Sequence, residues 1–137
     1  MRDDCIFCDI VAGNTPAEKV YEDDRVLAFL DINPISEGHT LIIPKKHYPD
    51  IFEIPSHELC ELSQTTKKIS KSLRISLNAK GVNVLHNSGT AAQQEVPHFH
   101  IHVIPRYRGD QINIFPERKQ KKGDLNKIAE KIRKRLQ

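Results

Sequence analysis

No stretch of this 137-residue chain approaches the roughly 18 consecutive apolar residues that a membrane-crossing helix needs, so no membrane partner is expected. The opening Met1-Arg2-Asp3-Asp4-Cys5 has no apolar run behind its charges, so no secretory signal is read there. A cytoplasmic location, or an organelle interior, is therefore expected. Internal repeats and low-complexity linkers are also missing, and the length suits one domain with a single modest core. Cysteine is scarce and odd in number: Cys5, Cys8 and Cys60. One C-x-x-C pair in an odd set argues against a disulfide framework and for metal or redox use. Cys60 falls in an expected helix and reads as a small buried hydrophobe.

Hydrophobic residues make up 38% and charged residues 28%, an ordinary soluble balance. The net charge of +3 is unevenly placed. From Glu117 to the end there are nine Lys/Arg against three acids, while residues 1–116 sum to −3. A basic tail can touch a polyanion, but a solvated helix face is the plainer reading. No aromatic side chain interleaves with those charges to stack on bases, so nucleic acid is not an expected partner.

Residues 19–30 read as a hairpin: Val20 and Tyr21, acidic turn residues Glu22 to Asp24, then the run Val26 to Leu30. Asp31-Ile32-Asn33-Pro34 breaks that strand. Thr40 to Ile43 is a further strand, stopped by Pro44. Ser56 is read as the N-cap of a long helix. Its inward stripe is Leu59, Leu62, Thr66, Ile69, Leu73 and Leu77, with Asn78 and Gly81 as the stop. Two more strands follow, Val82 to Leu85 and Phe99 to Ile104. Asp124 caps a last helix with Leu125, Ile128, Ile132 and Leu136 inward. Grouped strands around one long helix predict an α+β fold with a mainly antiparallel sheet and a C-terminal helix.

Three of the seven histidines fall in His98-Phe99-His100-Ile101-His102. Strand side chains alternate faces, so the three imidazoles share one face while Phe99, Ile101 and Val103 enter the core. Packing alone gives no reason to load one face with a single polar residue type. A metal site made by the tract itself, or a row of structural histidines, are alternatives. Spread along a polyphosphate-sized ligand, the rings would supply a nucleophile and several donors. The preceding residues 86–97 are rich in small and amide side chains, whose backbone N–H groups suit phosphate oxygens.

The run Asn87-Ser88-Gly89-Thr90-Ala91-Ala92-Gln93-Gln94-Glu95-Val96-Pro97-His98-Phe99-His100-Ile101-His102 resembles the signature of the histidine triad (HIT) superfamily, closest to its Hint-like nucleoside phosphoramidase branch. Two upstream blocks agree: Asp23 to Ile32, and Gly38 to His47. The resemblance covers about residues 5–108 and implies a HIT domain over 1–110. Residues 111–137 are then a basic extension whose helix packs on the same domain.

The resemblance further implies a homodimer with joined sheets and a purine nucleotide above the histidine strand. It makes His100 the nucleophile on the α-phosphorus, through a covalent nucleotidyl-histidine, with His102 on the phosphate oxygens. His98 completes the triad and His39 matches a fourth histidine beside it. Asp31 matches a ribose ligand and Ile32 lines the base or sugar pocket. Asn87, Gln93, Gln94 and Glu95 match positions near the phosphates or leaving group. Asp31 and Asn87 also have a turn-forming reading. His57 and His86 fall outside every match.

Two positions depart from the family pattern. Gln93 stands where glycine is usual, and Glu95 where some relatives carry a hydroxyl.

Cys5-Ile6-Phe7-Cys8 has the spacing of a zinc knuckle, which needs two further ligands. Zinc-bearing relatives supply them from positions matching His47 and His98, giving a structural Cys5/Cys8/His47/His98 site. Otherwise His98 hydrogen-bonds within the triad. The implied activity is hydrolysis of nucleoside 5′-phosphoramidates or related phosphate anhydrides. Dinucleoside polyphosphate hydrolysis and nucleotide binding with weak turnover are the alternatives. A zinc-stapled nucleic-acid module using the basic tail is a third class, for which the triad gives no reason.

Overall fold

The computed structural model describes residues 2, 4–118 and 123–136; Lys119, Lys121 and Lys122 of the basic tail lie outside them. The elements run α1 (Ile6–Ala12), β1 (Lys19–Glu22), β2 (Val26–Leu30), β3 (Thr40–Pro44), α2 (Ser56–Ser76), β4 (Gly81–Leu85), β5 (Ile101–Arg106) and α3 (Leu125–Leu136). The five strands form one sheet in the order β1-β2-β3-β5-β4, with every neighbouring pair antiparallel. The expected α+β architecture is what the chain adopts.

The hairpin at the sheet edge turns where Asp23 Oδ1 accepts the backbone N–H groups of Arg25 and Val26, each at 2.8 Å. Strands β2 and β3 are buried on both faces, which is why they read as unbroken apolar runs rather than alternating ones. On one face Val26, Ala28, Ile42, Phe99, Ile101 and Val103 pack against Leu62, Ile69 and Leu73 of α2. On the other, Leu27, Phe29, Leu41 and Ile43 pack against Phe7 and Ile10 of α1 and the two N-terminal cysteines. The sheet is therefore the middle layer of three.

Four expectations are corrected. Residue Pro55, not Ser56, is the N-cap of α2 and offers no side-chain bond, while Ser56 is already helical. Cys60 is exposed, because it lies off the stripe formed by Leu62, Thr66, Ile69 and Leu73. The β5 ladder starts at Ile101 rather than Phe99, whose backbone N–H donates to Tyr48 O in the β3–α2 connection. Helix α3, capped by Asp124 as expected, buries none of its residues. Leu125, Ile128, Ile132 and Leu136 are all more than half exposed, so the helix does not pack on its own domain.

Candidate functional site: a histidine cleft and a cysteine–histidine cluster

The face of the sheet that carries α1 opens into a cleft of about 620 Å³. Its polar lining includes Asp31, His39, Asn87, Gln93, Glu95, His100 and His102. Ile6, Phe7 and Ile10 of α1, with Phe29, Ile32 and Leu41, supply an apolar wall. Of that wall Ile32 is read from the sequence, but not the residues of α1. The signal was Ile6, Phe7 and Ile10 at helical spacing, one turn apart.

The alternation expected of the histidine segment holds. Phe99 lies under α2 with no exposed surface, while His100 and His102 face the cleft with ring centroids 4.9 Å apart. Hydrogen bonds fix opposite tautomers on these two rings. His100 Nδ1–H donates to His98 O at 2.7 Å, so the lone pair sits on Nε2. The backbone N–H of Ile35 donates to His39 Nδ1 at 3.1 Å, which makes His39 protonated on Nε2. That Nε2–H donates to His102 Nδ1 at 2.9 Å, leaving His102 with an Nε2–H. The cleft thus holds one imidazole that accepts and one that donates.

Burial keeps these rings neutral. It lowers His100 and His39, partly offset by the Asp31 carboxylate, and it pushes His102 down to about 4. A neutral imidazole near pH 7 is a competent nucleophile and a neutral donor. Asp31 Oδ2 lies 3.7 Å from His39 Nε2, while Oδ1 accepts Asn33 N–H at 2.8 Å, so the turn-forming role of Asp31 is real. Asp31, His39 and His102 are close enough to share a cation. The Ile35 N–H nevertheless forces the proton onto His39 Nε2, the nitrogen a cation would need.

Gln94 is not in the cleft. Its Oε1 accepts Gly89 N–H at 2.8 Å and its Nε2 donates to Pro49 O and Val96 O at 2.6 and 3.1 Å. It braces the loop from behind. The loop makes a turn of 3₁₀ helix at Thr90–Ala92 and leaves it through Gln93 at φ +67°. The amides of Gly89, Ala92, Gln93 and Gln94 already donate within this loop, so fewer are free for an anion than its composition implied.

His98 also lies outside the cleft lining and is fully buried. Its Nε2–H donates to Pro44 O at 2.8 Å, which leaves the Nδ1 lone pair 3.4 Å from Cys5 Sγ and 3.6 Å from Cys8 Sγ. His47 Nδ1 is 3.4 Å from Cys8 Sγ. One ligand atom from each of Cys5, Cys8, His47 and His98 falls within 4.8 Å of the others, the four-ligand set expected for zinc. The buried ring of His98, lowered to about 4 by desolvation, is neutral and ready to ligate. Among the described residues, His47 Nε2 is the buried side-chain polar atom without a partner. Leaving it unpaired costs roughly 1–3 kcal/mol, and it is the other ring nitrogen, Nδ1, that faces the Cys8 thiol. The donor set fits zinc. His86, outside the cleft, packs against Phe99 with the rings tilted and their centroids 4.9 Å apart, and His57 is an exposed residue of α2, so neither joins the site.

Fold and site together define a small α+β domain with a paired-histidine cleft on one sheet face and a cysteine–histidine cluster behind it. Residues 12–109 match the HIT domain, and the chain belongs to that family. An uncharacterised HIT-like protein of Methanocaldococcus jannaschii is 48% identical over 130 residues, 94% of this chain and 98% of that protein. An adenylylsulfatase of Arabidopsis thaliana is 43% identical over 110 residues, 80% of this chain and 56% of the relative.

Among solved structures, a Streptococcus mutans protein is 39% identical with a TM-score of 0.92, covering 100% of this chain and 88% of that one. A zinc-bound histidine triad protein of Mycobacterium smegmatis is 39% identical with a TM-score of 0.79, covering 85% of this chain and 84% of its own. A histidine triad nucleotide-binding protein of Candida albicans is 37% identical with a TM-score of 0.84, covering 97% of each chain. Among the described residues no helix is long and apolar enough to cross a membrane.

Proposed function

We propose that the protein is a nucleotide hydrolase in which His100 Nε2 attacks the α-phosphorus of a purine nucleotide. The observation that carries this reading is the pair of opposite tautomers, one ring aiming a lone pair and the next a proton into the same cleft. The P–N or P–O bond to the leaving group breaks with its electron pair, and the departing group takes a proton from water. Water then displaces His100 from phosphorus and frees the mononucleotide. His102 Nε2–H holds a non-bridging oxygen through both steps. His39 acts through His102 and is a positioning residue, as is the more remote His98.

Asp31 accepts ribose hydroxyls with the oxygen lone pairs that Asn33 leaves open, and Ile32 covers the base. Asn87, Gln93 and the exposed Glu95 line the side of the cleft where phosphate and leaving group would sit. The cleft's mixed lining supports nucleoside 5′-phosphoramidates or mixed phosphate anhydrides as substrates, with the adenylylsulfatase relative in favour of the latter. Dinucleoside polyphosphates are the second reading, which the cleft volume allows.

Cys5, Cys8, His47 and His98 would hold a structural zinc; bound there, it supplies a crosslink rather than a reacting group. We place the enzyme in the cytoplasm, working as a homodimer. The test is turnover of adenosine 5′-phosphoramidate beside diadenosine tetraphosphate, with His100→Ala as control. A rapid burst of nucleotidyl-protein in the wild type, absent from His100→Ala, is expected. Full activity in His100→Ala overturns the reading.

A further inference from the structure

The cleft assigned to a nucleotide phosphate is lined by no Lys or Arg among the described residues. Its charged lining is two carboxylates, Asp31 and Glu95. Sites that hold several phosphates neutralise them with Lys, Arg or a metal ion. A cleft without such side chains suits a single phosphoryl group, held by neutral donors such as His102 Nε2–H. The two carboxylates stand at different places along the histidine row. Asp31 lies 3.7 Å from His39, which bonds His102, and so marks the His102 end. Glu95 belongs to the loop that enters the row through Val96, Pro97 and His98, and marks the His100 end. The side chain of Gln94 turns back to Pro49 O and Val96 O, which leaves its neighbours Gln93 and Glu95 on the cleft side. Glu95 is exposed, and the ion pairs among the described residues leave it out.

A carboxylate beside the nucleophile acts on whatever departs from phosphorus. It repels a sulfate, carboxylate or phosphate leaving group and attracts one that carries a positive charge. We propose that Glu95 is a specificity-determining residue, selecting nucleoside 5′-phosphoramidates whose leaving amine carries a second, cationic group, as a diamine does. This rests on the hydrolase reading of the same cleft and narrows its leaving group. The bond that breaks is P–N. His100 Nε2 bonds to phosphorus, the electron pair leaves on the amine nitrogen, and that nitrogen takes its proton from water. The distal ammonium changes no bond and pairs with Glu95, which exchanges no proton. The hydroxyl that some relatives carry at this position has no charge with which to make that selection.

The test uses the full chain and three adenosine 5′-phosphoramidates of similar length, with an aminobutyl, a pentyl or a carboxypropyl group on nitrogen. The kcat/KM for the aminobutyl compound is expected to exceed that for the pentyl by about fivefold, the scale of one exposed charge pair, with the carboxypropyl last. Glu95→Gln should bring the first two values together, and Glu95→Lys should put the carboxypropyl compound first. Ratios between substrates are compared within each variant, so a uniform change in activity cancels. Raising salt to about 1 M should shrink the wild-type preference, as screening requires. A preference that survives both Glu95→Gln and high salt comes from shape and overturns the proposal. So does turnover of all three at one rate with the burst at His100 intact, a result that leaves the hydrolase reading standing. No burst with any of the three overturns both.

Discussion

His39 Nε2 stands 2.9 Å from His102 Nδ1, and through that bond a ring that is 98% buried sets the proton of a ring in the cleft. The chain of donors starts at the Ile35 backbone and ends on His102 Nε2–H, so removing His39 frees His102 to take either tautomer. His39→Ala is expected to lower kcat by about 10–100-fold, the usual loss for a removed orienting partner. KM should move much less. His39→Gln, which can still donate from its amide, should recover part of the rate, and ¹⁵N chemical shifts of His102 should report the tautomer. Unchanged kcat in His39→Ala would show that the relay has no bearing on the reaction.

Burial sets a pH window. His102 takes up a proton only near pH 4 in the folded chain, against about 6.5 when unfolded, and desolvation lowers His39 and His100 in the same direction. Between those values the unfolded chain binds more protons, so stability is full above pH 6.5 and is lost as pH falls toward 4. Calorimetry should show a flat Tm from pH 8 to 7 and a decline of several degrees from pH 6.5 to 4.5, on the order of 1–3 kcal/mol for His102. His102→Asn should flatten that decline. Turnover should persist below pH 6.5, since the attacking ring is still neutral there.

Much of this molecule is written in its sequence, and the parts that are not have physical reasons. The doubly buried runs of β2 and β3 and the alternation of His98 to Val103 carry their meaning locally, because strand periodicity is a property of the chain itself. The four metal-type ligands come from three separate segments, and only family likeness brings His47 and His98 to the cysteines. Helix α1 has seven residues, too few for propensity to reveal, and exists through its contacts with Phe29 and Leu41. The loop composition suggested free amides, but the Gln94 side chain and the 3₁₀ turn had already claimed several. Gln93 gains a reason from the structure: at φ +67° it occupies the left-handed region, which explains why glycine is usual there.

Gly38 is a sharper case of the same constraint. It sits at φ +93°, next to His39, and a Cβ there would come within 2.5 Å of Leu77 Cδ1 and 3.1 Å of Leu73 Cδ2. Gly38→Ala must therefore displace the Leu77 and Leu73 side chains at the end of α2 as well as strain the backbone. A loss of about 2–4 kcal/mol in urea unfolding is expected, combining left-handed strain with overpacking. Gly89 has a similar φ of +92° but open space around it, so Gly89→Ala should cost only the backbone share, about 1–2 kcal/mol. Equal losses at the two sites would mean that the contact with Leu77 relaxes freely.

The cysteine–histidine cluster and the cleft share a wall, and this makes metal content measurable in ligand affinity. Phe7 lies between Cys5 and Cys8 in the chain; its ring meets His98 at 5.9 Å on one side and His100 at 5.1 Å on the other. Without a metal, burial pushes the Cys5 thiol up, so it stays protonated, and the cluster loses the bonds that would tie α1 to His47 and His98. The purified protein should contain about one zinc per chain on the four-ligand geometry. Chelation, or Cys8→Ser, should lower Tm by on the order of 10 °C, because metal binding energy in such a site is folding energy. The same treatment should weaken AMP binding by about tenfold or more as the Phe7 wall loosens, measured by calorimetric titration below the new Tm. His47→Ala should do both while leaving the His39–His102 bond intact. An apo protein that binds AMP as tightly as the zinc form would show that α1 keeps its place through Phe29 and Leu41 alone, and that the metal serves stability without reaching the cleft.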